Sequence, residues 1–222
     1  MLKGIIFDMD GVLVNSEPMH YKAYCLALEK YNIVYPYEIY KNYIGSTQEK
    51  ILEDIRSKNS SLCANEEFIK EYNTKKDFLI ESDGFEVIPG IPALIRSLHA
   101  AGYQLAVASS SPYAYIIRVT KALGIYPYFH KIVSGADVPH PKPAPDVFFK
   151  AVEELELTPS ECIIIEDSTN GVRAAQAAGI PCIGFYNPDS GDQNLKEAAI
   201  IIESFETLDA AFIEKVYQAH TK

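Results

Sequence analysis

Residues 162–167 read Cys-Ile-Ile-Ile-Glu-Asp, an apolar run stopped by two acids. A strand with one wet face alternates apolar and polar side chains, so a run without that alternation is covered on both faces. The same character returns in Ile5, Ile6 and Phe7, at 103–111 (YQLAVASSS), at 131–135 (KIVSG), at 181–186 (PCIGFY) and at 199–205 (AIIIESF). Helical segments separate these runs. Residues 92–102 stop at Gly102, 112–124 have Pro112 in the first turn and Gly124 at the end, 145–157 carry a helical pattern, and 171–179 close on Gly179. Strands and helices alternating at these lengths predict an α/β fold, a doubly wound parallel sheet.

Residues 16–86 break the pattern. Strand-like runs vanish, and helical signals replace them: Pro18 opens MHYKAYCLALEKY, Ser46 and Glu49 form a capping-box pair, and Asn65 precedes a segment with Phe68, Tyr72 and Leu79 at helical spacing. The expectation is a core domain from residues 1–15 and 87–222, with a smaller all-helical domain inserted at 16–86 and hinges at Val14–Pro18 and Ser82–Pro89. A chain of 222 residues that is 48% hydrophobic can bury cores for both. The 15 Tyr residues are expected mainly to pack the helical insert, although 35–43 (YPYEIYKNY) is a candidate pocket wall.

The net charge of −10, with no cluster of five Lys or Arg, argues against a nucleic-acid or anionic-membrane partner. The first residues lack a signal-peptide pattern, and no apolar run is long enough to span a bilayer. Cys25, Cys63, Cys162 and Cys182 form no C-x-x-C pair and read as small hydrophobes in a reducing compartment. A cytoplasmic protein is expected; its size suits a monomer, and the sequence leaves the oligomeric state open.

Ligands of open parallel sheets gather beyond the C-terminal ends of the strands. There the sequence places Asp8 and Asp10 after the first run, Ser109, Ser110 and Ser111 after the second, Lys142 in the loop PHPKPAPD, and Glu166 and Asp167 after the run at 162. Four acids, hydroxyls and one lysine, without His or Cys, suit a hard divalent cation such as Mg²⁺ beside a phosphate. Two acids two residues apart can divide labour, Asp8 attacking and Asp10 giving and taking a proton. Ser111, just before Pro112, reads as a helix cap.

In order along the chain, FDMDG, ASS, KPAPDVF and IEDSTNG resemble the motifs of the haloacid dehalogenase superfamily of aspartyl phosphotransferases, nearest its β-phosphoglucomutase-like phosphatases. The resemblance covers nearly the whole chain. It implies a Rossmann-like core with a helical cap and a Mg²⁺-dependent phosphatase of a small phosphorylated metabolite, sugar phosphates included. It further implies an aspartyl-phosphate on Asp8 and acid/base work by Asp10. Mg²⁺ would lie on the Asp8 carboxylate, the Asp10 carbonyl and Asp167, helped by Glu166, with Ser109, Ser110 and Lys142 at the phosphate. Relatives place a His near the substrate where this chain has His20.

Other activities stay in view. A phosphohexose mutase uses the same Asp pair, but the mutases carry Arg where this chain has Gln48, and Lys-Asn where it has Pro112 and Tyr113. A neutral amide lacks the bidentate, charge-assisted grip of a guanidinium on phosphate. The dehalogenase and phosphonate-cleaving branches lack the second Asp. A signalling receiver is shorter and has no helical insert, and a non-catalytic protein on this fold would have no use for the acid set.

Overall fold

The computed structural model describes residues 1–44, 48–59, 62 and 65–220. Six strands form one sheet, all pairs parallel: β1 (Gly4–Phe7), β2 (Gln104–Ser109), β3 (Lys131–Ser134), β4 (Cys162–Glu166), β5 (Cys182–Phe185) and β6 (Ile200–Ile202). Their order is β3-β2-β1-β4-β5-β6. The chain winds outward from β1 through β2 to β3, then returns to β4 and winds the other way. The switch point therefore lies between β1 and β4.

Burial accounts for the missing alternation. Ile5, Ile6 and Phe7, like Ile163, Ile164 and Ile165, are all fully buried, although their side chains leave opposite faces. Ile6, Ala106 and Ile164 share one core with Val147 and Phe148 of α7 (Asp146–Glu154) and Val172 and Ala175 of α8 (Thr169–Ala178). α5 (Ile91–Ala100) packs on β2, and α6 (Tyr113–Ala122) on β3. Pro112 stands at the N-cap of α6, one place before the first turn in which the sequence put it. α9 (Ala210–His220) is the last helix.

Two compact units emerge. One comprises 1–14, 87–187 and 193–222 and contains the sheet; the other comprises 15–86 and 188–192. The second is helical: α1 (Glu17–Glu29), α2 (Tyr37–Tyr40), α3 (Gln48–Lys58) and α4 (Asn65–Asp83), with α1 packed on α4. Phe68, Tyr72 and Leu79 are buried as their spacing predicts, and the Tyr72 ring lies 4.5 Å from that of Tyr24. Tyr24, Tyr35 and Tyr40 fill the same core, and Tyr21, Tyr31 and Tyr43 pack against it. Ser46 and Cys63 lie outside the described residues, so the capping box stays a sequence expectation. Cys162 and Cys182 are buried free thiols, and Cys25 is half-buried.

The turn at 188–192 leaves the C-terminal side of β5 yet clusters with the helices. The Asn15 amide donates to Asp189 (2.8 Å). Gly191 has φ +71°, and a Cβ there would stand 2.9 Å from Ile44 Cβ and 3.0 Å from the Lys41 carbonyl oxygen, so both conformation and space require glycine. No described helix is long and apolar enough to cross a membrane.

Candidate active site

Register assembles the site. Phe7 pairs with Val107 on one side and Ile165 on the other, so the next residue, Asp8, comes level with Ala108 and Glu166. The Asp8 amide continues the ladder by donating to the Ile165 carbonyl (2.9 Å). Beyond it the backbone turns: Leu13 N–H returns to the Met9 carbonyl and Gly11 N–H to Val14, both 2.8 Å. Asp10 is thus carried by a tight turn past the strand end and is half-buried, whereas Asp8, Glu166 and Asp167 are buried.

Lys142 enters between the carboxylates from the loop before α7. Its Nζ donates to Asp8 Oδ1 (2.5 Å), Glu166 Oε1 (2.9 Å) and the Ala108 carbonyl (3.1 Å), which uses all three ammonium protons. Lys142, expected at the phosphate, here holds the Asp8 carboxylate, since two buried anions stand within its reach. Glu166, expected beside Asp167 at the metal, has both oxygens engaged: Oε1 by Lys142 and Oε2 by the Ser168 amide (2.6 Å).

Ser109 is buried at the end of β2, and its Oγ accepts from the Ser111 amide (3.1 Å), leaving its own proton to donate. Ser110 is exposed. The hydroxyl of Ser111, read as a helix cap, instead donates to Asp10 Oδ2 (2.8 Å). His20 belongs to the helical unit, where its Nδ1 lies 2.5 Å from the Tyr72 hydroxyl.

Several contributors carried little sequence signal. A Cβ at Gly171 would fall 1.6 Å from Glu166 Oε1, so the first turn of α8 is open only because that residue is glycine. Ser168 caps α8 by accepting from the Gly171 amide (3.0 Å). Gln193 donates to the Asp167 carbonyl (2.5 Å), and the buried Asn187 donates to the Gly11 carbonyl (3.0 Å). Gly171 and Ser168 at least stand inside IEDSTNG; Gln193 and Asn187 sit in polar loop sequence with no pattern to mark them.

Burial is the largest influence on Asp8 and drives its carboxyl up to about 7; Lys142 opposes this, and the charges of Glu166 and Asp10 add to it. Burial works against the charged form of Lys142 as well, but Asp8 and Glu166 outweigh it and hold the ammonium above the usual lysine range. One buried ammonium thus pairs with two buried carboxylates, Asp8 and Glu166, while Asp167 is buried next in the chain and the charge of Asp10 also acts on Asp8. This excess of hard oxygen donors fits a divalent cation of the Mg²⁺ type. Among the described residues no three or more His, Cys, Asp or Glu side chains converge as an ion cage. Mg²⁺ needs none, since it commonly takes one or two carboxylates and fills its remaining positions with carbonyl, water or phosphate oxygens.

Comparison with known proteins gives the same class. The haloacid dehalogenase-like hydrolase profile matches residues 5–185. Fructose-1-phosphate phosphatase YqaB of Escherichia coli is 30% identical over 180 residues, covering 81% of this chain and 94% of that protein. Phosphorylated carbohydrates phosphatase of Thermotoga maritima is 29% identical over 183 residues, covering 81% and 82%. The crystal structure of β-phosphoglucomutase from Clostridium difficile superposes with a TM-score of 0.79 at 26% identity, covering 99% of this chain and 98% of that one. The chain belongs to the haloacid dehalogenase-like hydrolase family. Within that family it is a phosphoric monoester hydrolase, a phosphatase of small phosphorylated molecules.

Proposed function

We propose that the enzyme is a Mg²⁺-dependent phosphatase of phosphorylated metabolites, sugar phosphates among them, working through an aspartyl-phosphate on Asp8. The observation that carries this reading is the buried Asp8 carboxylate at the β1/β4 switch point, gripped by Lys142 and followed two residues later by Asp10. The Escherichia coli and Thermotoga maritima relatives, phosphatases of fructose 1-phosphate and of phosphorylated carbohydrates, support a carbohydrate phosphate as substrate.

An Asp8 oxygen attacks phosphorus in line; the bond from phosphorus to the ester oxygen breaks, and that oxygen leaves with its electron pair and a proton from Asp10. Asp10, now ionised, takes a proton from water, whose oxygen attacks the same phosphorus. The bond to Asp8 breaks, Asp8 returns as carboxylate and inorganic phosphate departs. Lys142 fixes the orientation of the attacking carboxylate, and the Ser109 hydroxyl donates to a phosphate oxygen. Ser110 and His20 are further candidates for contacts to phosphate and substrate. Mg²⁺ held by the Asp8 and Asp167 carboxylates and the Asp10 carbonyl would supply the charge that offsets repulsion between carboxylate and phosphate dianion.

The Clostridium difficile likeness favours a mutase as the second reading. Gln48 weighs against it: a neutral amide cannot replace the Arg that mutases place there for a second phosphate. Water is then the acceptor.

The test is phosphate release from a panel of sugar and nucleotide monophosphates with Mg²⁺, with EDTA, and with Asp8→Asn. Release that needs metal and disappears in the variant is expected. Turnover surviving in Asp8→Asn overturns the scheme. Conversion of β-glucose 1-phosphate to glucose 6-phosphate without phosphate release would establish the mutase.

A further inference from the structure

We propose that Ser111 is the positioning residue of Asp10, fixing the acid/base carboxylate through a hydrogen bond anchored in β2 and β3; this rests on the reading above, in which Asp10 moves the proton. Ser111 Oγ donates to Asp10 Oδ2 at 2.8 Å. Asp10 lies on a turn beyond the end of β1, so strand pairing does not fix its side chain. Ser111 is itself tied at both backbone groups. Its amide donates to Ser109 Oγ (3.1 Å), and its carbonyl accepts from Ser134 Oγ (2.8 Å). Ser134, at the end of β3, pairs in register with Ser109 and also takes the Ala136 amide (3.1 Å). The rigidity of two neighbouring strands thus reaches Asp10 through the Ser111 hydroxyl.

The local sequence frees that hydroxyl for the purpose. A serine just before a helix ordinarily turns its oxygen to the first-turn amides. Here the residue between it and α6 is Pro112, which makes no side-chain cap and has no amide of its own to offer. The Ser111 side chain is left to aim at Asp10. A neutral hydroxyl donor holds a carboxylate without adding charge, so the bond orients Asp10 in its ionised form and the same oxygen can accept from it when protonated. A group that must alternate between the two forms within one turnover is served in both.

The test is a double-mutant cycle of Ser111→Ala and Asp10→Asn, read on fructose 1-phosphate and on p-nitrophenyl phosphate, with Ser111→Thr as the conservative variant. Ser111→Ala leaves the backbone bonds to Ser109 and Ser134 intact, so its thermal midpoint stays near wild type. It is expected to lower kcat on fructose 1-phosphate by about 10- to 100-fold with KM nearly unchanged. The loss should be smaller on p-nitrophenyl phosphate, whose leaving group needs little protonation, and Ser111→Thr should recover most of it. In the Asp10→Asn background, removing the hydroxyl should change nothing. If the two losses multiply, or if Ser111→Ala raises KM at constant kcat, the residue does not act through Asp10 and the proposal is overturned. A wild-type enzyme inert on both probes, or an Asp10→Asn variant as active as wild type, overturns the underlying reading, and the role of Ser111 falls with it.

Discussion

Gly171→Ala puts the buried charge network to a direct test. The new methyl would occupy the place of the Glu166 carboxyl, 1.6 Å from Oε1 and 1.8 Å from Cδ, and Glu166 is almost wholly buried. The carboxylate must move and loosen its bonds to Lys142 (2.9 Å) and the Ser168 amide (2.6 Å). Overpacking of a dense site costs roughly 1–3 kcal/mol, and a hydrogen bond to a charged group is worth roughly 1.5–3 kcal/mol. Alanine returns about 1 kcal/mol of helix propensity, so the net loss is about 3 kcal/mol. For a chain of this size that corresponds to a fall in Tm of roughly 6–12 °C. The sign should reverse in a Glu166→Ala background. With no carboxyl to displace, the same substitution there leaves only the propensity gain, a rise of roughly 2–4 °C. Thermal melts of the four proteins without added metal decide the matter. A Gly171→Ala protein that melts at or above wild type, or the same drop in both backgrounds, would refute the proposed clash.

Three further outcomes follow from the charges. The native state binds a proton on Asp8 up to about 7, against a usual value of 3.8, so this group's contribution to stability is complete below 3.8 and lost as pH rises through about 7. Mg²⁺ should therefore raise Tm more at pH 8 than at pH 5, and equal shifts at both would contradict the assignment. Lys142→Met leaves Asp8 and Glu166 buried without their counter-charge; denaturant unfolding should show a loss of roughly 3–5 kcal/mol, and a loss under about 1 kcal/mol would deny the network its role. Away from the site, bonds from Lys3 and Thr158 hold the Glu161 carboxyl down to about 2, so its contribution is present above the usual 4.5 and fades as pH falls towards 2. An NMR titration should find that midpoint in wild type and move it upward in Lys3→Met.

The sheet was legible because burial on both faces leaves a compositional mark: runs such as Ile163–Ile165 cannot be half-wet strands. The carboxylates were legible for a related reason, since charged residues that end such runs must gather at one edge of a parallel sheet. Which carboxylate meets which lysine was not legible. That depends on register, where Phe7 opposite Ile165 brings Asp8 level with Glu166. Ser111 was misread because a serine before a helix has two uses for its hydroxyl, and only the third dimension supplies Asp10 as the acceptor. Gln193 and Asn187 act on main-chain carbonyls, which every residue possesses, so no pairing of residue types betrays them. The short helix Tyr37–Tyr40 escaped notice for want of length, one turn being too brief to show a period.

The pentapeptide 188–192 bears on how this architecture can be recombined. Because it clusters with the helices, the chain passes between the two units four times, after residues 14, 86, 187 and 192. Exchanging 15–86 with a relative would graft the helices without the turn that Asn15 and the Lys41–Ile44 segment receive. The donor's helices would then face a foreign loop where Gly191 now fits closely against Ile44. The transferable cassette is discontinuous, and a chimera that ignores its smaller piece carries a mismatched seam from the outset.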